Sequence, residues 1–214
     1  PMPSVSNGWY EKLKRSAHRL LPGVAQDNKS GCQFAEAFLD WEAGQSDSWA
    51  ACVNLMDAHL PYQPTPEYDI YSEAYLHELQ SEIDSMWEFN GGQRQWWQRQ
   101  ALEALYDGSI RQADAVVEQI ISQLERRDEL TNTLVIIAGD HGEGFGEPSN
   151  LKPSVRAVDH GNGGSHEVLL HVPLMIKMPK QCKGSVVDTT CSLTHLPIVI
   201  NSVIEESEAR FPPD

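Results

Sequence analysis

The sequence predicts an α/β fold with a mostly parallel sheet flanked by helices. Three apolar runs, at 49–57, 133–138 and 172–178, alternate with longer stretches of helical periodicity. The runs are apolar nearly throughout and do not alternate apolar with polar, as expected of parallel strands covered on both faces. The chain has 214 residues and is 40% apolar, enough for one domain with a sizeable core.

Taken in order, residues 1–31 read as a loosely attached N-terminal segment. It contains a helix at 9–21, where Trp9, Leu13 and Ala17 keep helical spacing and Pro22-Gly23 ends it. Residues 32–206 read as the α/β body and 207–214 as a tail. "CQFAEAFLDWEAG" (32–44) is an amphipathic helix with Phe34, Phe38 and Trp41 on one face and Gly44 as C-cap. "WAACVNLMD" (49–57) is the first strand, and the proline-rich "AHLPYQPTPEYD" after it is loop. Helical, acid-rich sequence follows from about 71 to 89, broken by Asn90-Gly91-Gly92. A long helix runs from about 93 to 126, with its stripe at Leu102, Leu105, Ala113, Val116, Ile120 and Leu124. The second strand is 133–138, a Gly/Pro/Asn/Ser-rich loop covers 142–165, and the third strand is 172–178. A last helix spans about 192–206, starting at the cap residue Ser192.

The formal net charge is −15, which excludes a nucleic-acid partner because phosphate binding needs a basic face. The same acidic balance suits either a surface hydrated at high salt, as in a halophile, or an ordinary acidic protein. Cys32, Cys52, Cys182 and Cys191 contain no C-x-x-C pair, against a zinc ribbon or thioredoxin site. Cys52 lies in an apolar run and reads as a buried thiol. Cys182 and Cys191 are spaced to bridge a short hairpin or to stay reduced. There is no run of 18 apolar residues, so no membrane span is predicted, and no signal peptide is recognisable. The chain reads as soluble, with its compartment open.

In such sheets chemistry lies just beyond the carboxyl ends of the strands. Two polar clusters occupy that position: Asp57-Ala58-His59 after the first strand and Asp140-His141 after the second. Asp140 and His141 offer a carboxylate and an imidazole where the chain turns at Gly142. This mixed set suits Ca²⁺, Mg²⁺, Mn²⁺ or Zn²⁺; alternatively Asp140 caps the loop and His141 is structural. His59 can donate to an anionic ester oxygen or protonate a leaving group, or it is a plain loop histidine. His160 sits among glycines that permit close approach to a ligand. His166 says less, and His171, next to a strand, reads as structural.

Four segments occur in order: "VNLMDAHLPYQP", "YDGSIRQADAVVEQIISQLE", "NTLVIIAGDHGEGFGE" and "HEVLLHVPLMIKMP". Together they resemble the sulfatase family of the alkaline-phosphatase superfamily, over about residues 32–204. The resemblance implies an alkaline-phosphatase-like sheet and a hydrolase of sulfate esters that uses a divalent metal, Ca²⁺ first and Mg²⁺ or Mn²⁺ next. It implies that Asp140 and His141 are metal ligands. It implies that His59 and His160 contact the ester group and assist the leaving oxygen. The family usually shows G-E-H-G where this chain has Gly146-Glu147-Pro148, and Tyr-Glu where it has His166-Glu167. The family's C/S-x-P-x-R segment, whose Cys or Ser becomes formylglycine, has no counterpart, and neither does its first aspartate pair.

The expectation is therefore the second half of a catalytic domain, inactive by itself. Formylglycine would belong to a missing first half, and the chain would associate with that half or with itself. Two alternatives stand beside this: a non-catalytic remnant or binding module with the same fold, and a phosphoester hydrolase or transferase of the superfamily. With only Asp140 and His141 as donors, Ca²⁺, Mg²⁺ and Mn²⁺ should bind weakly, on the order of millimolar. Calorimetry on the purified chain checks this. Micromolar affinity lost in Asp140→Ala would show that further donors exist, with Glu143, Asp159 and His160 first to examine.

Overall fold

The computed structural model describes residues 31–69, 74–83, 86–148, 156–160 and 166–205. The helix expected at 9–21 and the tail at 207–214 lie outside them. The described residues fall into two compact units. One takes the described residues from Gly31 to Glu82 and Gln100–Ile120, the other Ile83–Arg99 and those from Ile121 to Glu205.

In the first unit, α1 (Gly31–Ala43) buries Ala35 and Leu39 on one face. Trp49 packs edge-on against Phe38 and Trp41, which are tilted to each other, with centroids 5.8–6.1 Å apart. α2 (Ala74–Ser81) contributes Leu76 and Leu79. The long α4 (Trp96–Arg126) contributes Leu102, Leu105 and Val116, at the helical spacing that buries one stripe. The expected first strand at 49–57 is not formed. Residues 50–56 have no regular secondary structure, no described residue forms a ladder with them, and Val53 and Met56 stay exposed. An apolar run becomes a strand only when a neighbour satisfies its backbone groups. Cys52 is accordingly an exposed thiol, not a buried one.

The loop after residue 57 is held by two buried amides. Gln80 accepts from Tyr62 N and donates to Tyr62 O, both at 2.8 Å. Gln112, 3% exposed, accepts from Thr65 N at 2.8 Å and donates to Asp57 Oδ1 at 2.5 Å. The same Asp57 oxygen accepts from Gly31 N at 3.1 Å, at the N-terminus of α1 where a carboxylate is favoured. A Cβ on Gly31 would sit 2.4 Å from Asp57 Oδ2, so only glycine admits the carboxylate there. Burial, and then the Asp57 charge, push the Cys32 thiol up.

In the second unit, α3 (Trp87–Asn90) precedes α4, and Asn90 donates to Arg156 O at 3.1 Å. β1 (Val135–Ala138), β2 (Phe145–Pro148), β3 (Arg156–Val158), the one-turn α5 (Glu167–Leu170), β4 (Leu174–Lys177) and α6 (Leu196–Ile204) follow. The core here is Met86, Phe89, Leu124, Phe145, Ala157, Val158, Leu169 and Val199. The protein is mixed α and β as expected, but the described strands do not form a parallel sheet. β1 pairs antiparallel with β4, Val135 opposite Lys177 through Ala138 opposite Leu174. β2 pairs antiparallel with β3 inside what was read as plain loop. A parallel pair needs a crossover of a dozen or more residues, usually a helix. Between β1 and β4 the described residues hold the β2–β3 ladder and the single turn of α5. Neither β1 nor β4 is covered on both faces, since each has half-buried and exposed positions. Cys182 and Cys191 are free thiols. Among the described residues no helix is long and apolar enough to cross a membrane.

Replacing Gln112 with Ala should cost roughly 1–3 kcal/mol for each group left unsatisfied, Thr65 N and the Asp57 carboxylate. Urea unfolding monitored by far-UV dichroism measures it; an unchanged midpoint would mean the amide contributes nothing.

Candidate active site

The antiparallel pairing of β1 and β4 sets where the site lies. Gly139 N donates to Pro173 O at 3.2 Å, so the ladder extends one step beyond β1. Residues 139–173 therefore leave and re-enter at the same end of the pair. Asp140, His141, Glu143, Asp159, His160, His166 and His171 all lie on this excursion.

Its first turn is fixed by Gly142, whose N–H donates to Leu169 O at 2.9 Å. A Cβ at Gly142 would fall 1.9 Å from Val168 O, so α5 and the turn touch backbone to backbone. Asp140 Oδ1 accepts from His141 N at 3.0 Å. His141 Nδ1 lies 2.8 Å from Gly142 O. A carbonyl only accepts, so Nδ1 carries the hydrogen and neutral His141 keeps a lone pair on Nε2. That nitrogen is 3.9 Å from Asp140 Oδ1, and the Asp140 side chain is 82% exposed.

The second turn follows β3. Asp159 adopts the left-handed conformation (φ 62°), its N–H donates to Gly144 O at 3.0 Å, and its Oδ1 accepts from His160 N at 2.6 Å. His160 Nδ1 then sits 3.1 Å from Asp159 Oδ1 and 3.2 Å from Glu143 Oε2. The Glu143 side chain is only 6% exposed. The His160 and His141 rings stack, with centroids 4.3 Å apart and planes at 27°. The two turns thus bring together three of the residues singled out from sequence, Asp140, His141 and His160.

Glu147 is turned to its own backbone, accepting from Phe145 N at 2.9 Å. His166 caps α5 through Val168 N and approaches Pro148 O, a structural place. His171 is largely exposed and 3.9 Å from Glu167. His59 belongs to the first unit, exposed on the glutamine-pinned loop, with Nδ1 2.7 Å from Leu60 O. Residue-type reasoning missed the grip of Glu143 and Asp159 on His160. The signal was present as a repetition in the sequence, Asp140-His141-Gly142 and Asp159-His160-Gly161, the same tripeptide twice in one loop.

The sulfatase family model matches residues 5–198. The chain belongs to the sulfatase family. Sulfatases act on sulfate esters and typically bind a divalent metal. No curated protein and no solved structure matches the chain significantly. The donors after β1 fit such an ion in kind: a carboxylate and an imidazole lone pair, 3.9 Å apart. Two ligands at about 2.3–2.6 Å from one Ca²⁺ can be separated by that distance.

Gly142→Ala should lose the Gly142–Leu169 hydrogen bond and destabilise the protein by about 3 kcal/mol or more, as overpacking against backbone does. Gly184→Ala, where a Cβ meets nothing within 4 Å, serves as the control. Thermal unfolding that shifts equally in both would contradict the contact.

Proposed function

We propose that this chain supplies the metal-holding and ester-binding residues of a sulfatase-type hydrolase of sulfate esters. The observation that carries the proposal is the stacking of His160 on His141 in a chain whose family match covers nearly its whole length. Asp140 and His141 Nε2 would hold the divalent ion, with Ca²⁺ first among the candidates. Bound there, the ion would offset negative charge on the non-bridging ester oxygens.

The overall reaction breaks the S–O bond of R–O–SO₃⁻ and delivers a proton to the departing alkoxide. His160 has Nδ1 against two carboxylates, so Nε2 is the nitrogen assigned to the ester. From Nε2 a protonated ring would donate a hydrogen to the leaving oxygen. For His59, in the first unit, an ester contact rests on the family resemblance alone. Its Nδ1 faces a carbonyl, so it offers an Nε2 hydrogen only when protonated. The nucleophile is assigned to formylglycine on sequence outside these 214 residues, which contain no C/S-x-P-x-R.

That same lack favours one second reading, a module that binds sulfate or phosphate esters without turning them over. The two readings separate experimentally. The purified chain should not hydrolyse an aryl sulfate. Supplied with a nucleophile-bearing sulfatase segment it should, and His160→Ala should then lower kcat by roughly 10²–10⁴. Turnover by the chain alone that Asp140→Ala abolishes would refute the assignment. Ester binding without turnover in every combination would favour the module.

A further inference from the structure

Glu143, Asp159 and His160 form a cluster of their own on the excursion. One donor atom from each lies within 4.8 Å of the other two, and both carboxylates converge on one nitrogen, His160 Nδ1. We propose that these three residues form a second divalent-cation site, selective for a first-row transition ion such as Zn²⁺, separate from the Asp140–His141 pair.

Three features carry this. The first is spacing. Donors about 2.0 Å from one ion lie about 3.3 Å apart in a tetrahedron and about 2.8 Å apart in an octahedron. The observed 3.1 and 3.2 Å from the imidazole nitrogen to the two oxygens fall within that window. The second is valence. Nδ1 carries at most one hydrogen, so a proton there must be shared between the two carboxylates, whereas one cation is bound by all three donors at once. The third is charge. Two carboxylates with a protonated imidazole leave a net negative charge beside the nearly buried Glu143, whereas two carboxylates, a neutral imidazole and a divalent ion sum to zero. The imidazole selects the metal, since nitrogen donors suit Zn²⁺ and its neighbours and all-oxygen sets suit Ca²⁺ and Mg²⁺. Three protein donors leave one position open, the arrangement of zinc sites that take a water or an anion. With Nδ1 on the metal, the neutral ring keeps its hydrogen on Nε2, so His160 would hydrogen-bond the ester rather than give up a proton to it.

The test uses the chain itself and Zn²⁺ alone, with Co²⁺ as a visible-absorption probe. Zn²⁺ should bind one equivalent more tightly than Ca²⁺, on the order of micromolar or better. Glu143→Gln and His160→Gln should weaken it roughly 100-fold or more, at or beyond the cost of losing a metal's outer hydrogen-bond partner. Asp140→Asn should leave Zn²⁺ affinity within a few-fold while removing weak Ca²⁺ binding. X-ray absorption on the Zn²⁺-loaded, unsubstituted chain should show one imidazole with oxygen donors, which keeps the idea testable if a variant fails to fold. No Zn²⁺ uptake, sulfur or two imidazoles at the metal, or Zn²⁺ binding lost in Asp140→Asn but retained in Glu143→Gln would overturn it. Loss of Ca²⁺ binding alone bears only on the Asp140–His141 pair.

Discussion

The contact on which the candidate site depends is the approach of Gly142 to the backbone of Val168 and Leu169. There is room for a hydrogen atom between Gly142 Cα and Val168 O, and none for a methyl group. The N–H to Leu169 O bond seals the approach. It ties the turn that carries Asp140 and His141 to α5, only a few residues before β4 resumes the ladder. One backbone contact therefore sets the direction of two side chains by restricting the main chain that bears them. Side chains placed this way lose little further entropy when a ligand arrives, which is the physical content of a preorganised site.

The first unit solves a similar problem with polar side chains. Its loop holds His59 and the prolines at 61, 64 and 66, and prolines supply no N–H to a ladder. The remaining backbone groups need partners, and Gln80 and Gln112 provide them from helices. Buried amides of this kind are costly unless every partner is present. Asp57 joins the same network from the end of the run that looked like a strand, and its carboxylate caps α1. An acid two positions before a candidate catalytic histidine thus has a structural task, a distinction residue type alone does not make.

Helices were the most legible part of the sequence. α1 and α4 fall within three residues of the boundaries expected from apolar spacing and Gly44, because a helix satisfies its backbone internally and its signal is local. Strands were legible in place but not in partner. Residues 133–138 and 172–178 contain β1 and β4, yet their antiparallel pairing is a property of the path between them. The run at 49–57 had the composition of a strand and no neighbour to make it one. For the site, Asp140, His141 and His160 were visible from type, position and family resemblance. Glu143 was one acid among several in "GEGFGE", and nothing in the order of those residues said that Glu143 would turn to His160 while Glu147 turned to Phe145 N.

By itself the sequence determined the family, the helices α1 and α4, the acidic composition and the two Asp-His-Gly tripeptides. These are fixed by local spacing, by composition and by motifs read in order along the chain. Only the tertiary structure decided that the two turns meet, that Asp159 takes a left-handed backbone, and that a nearly buried glutamate faces the second histidine. The physical reason is range. Periodicity and capping act over a few residues, whereas the meeting of residues 141 and 160 depends on where the β2–β3 ladder returns the chain, and that is set by which backbone groups find partners across the fold.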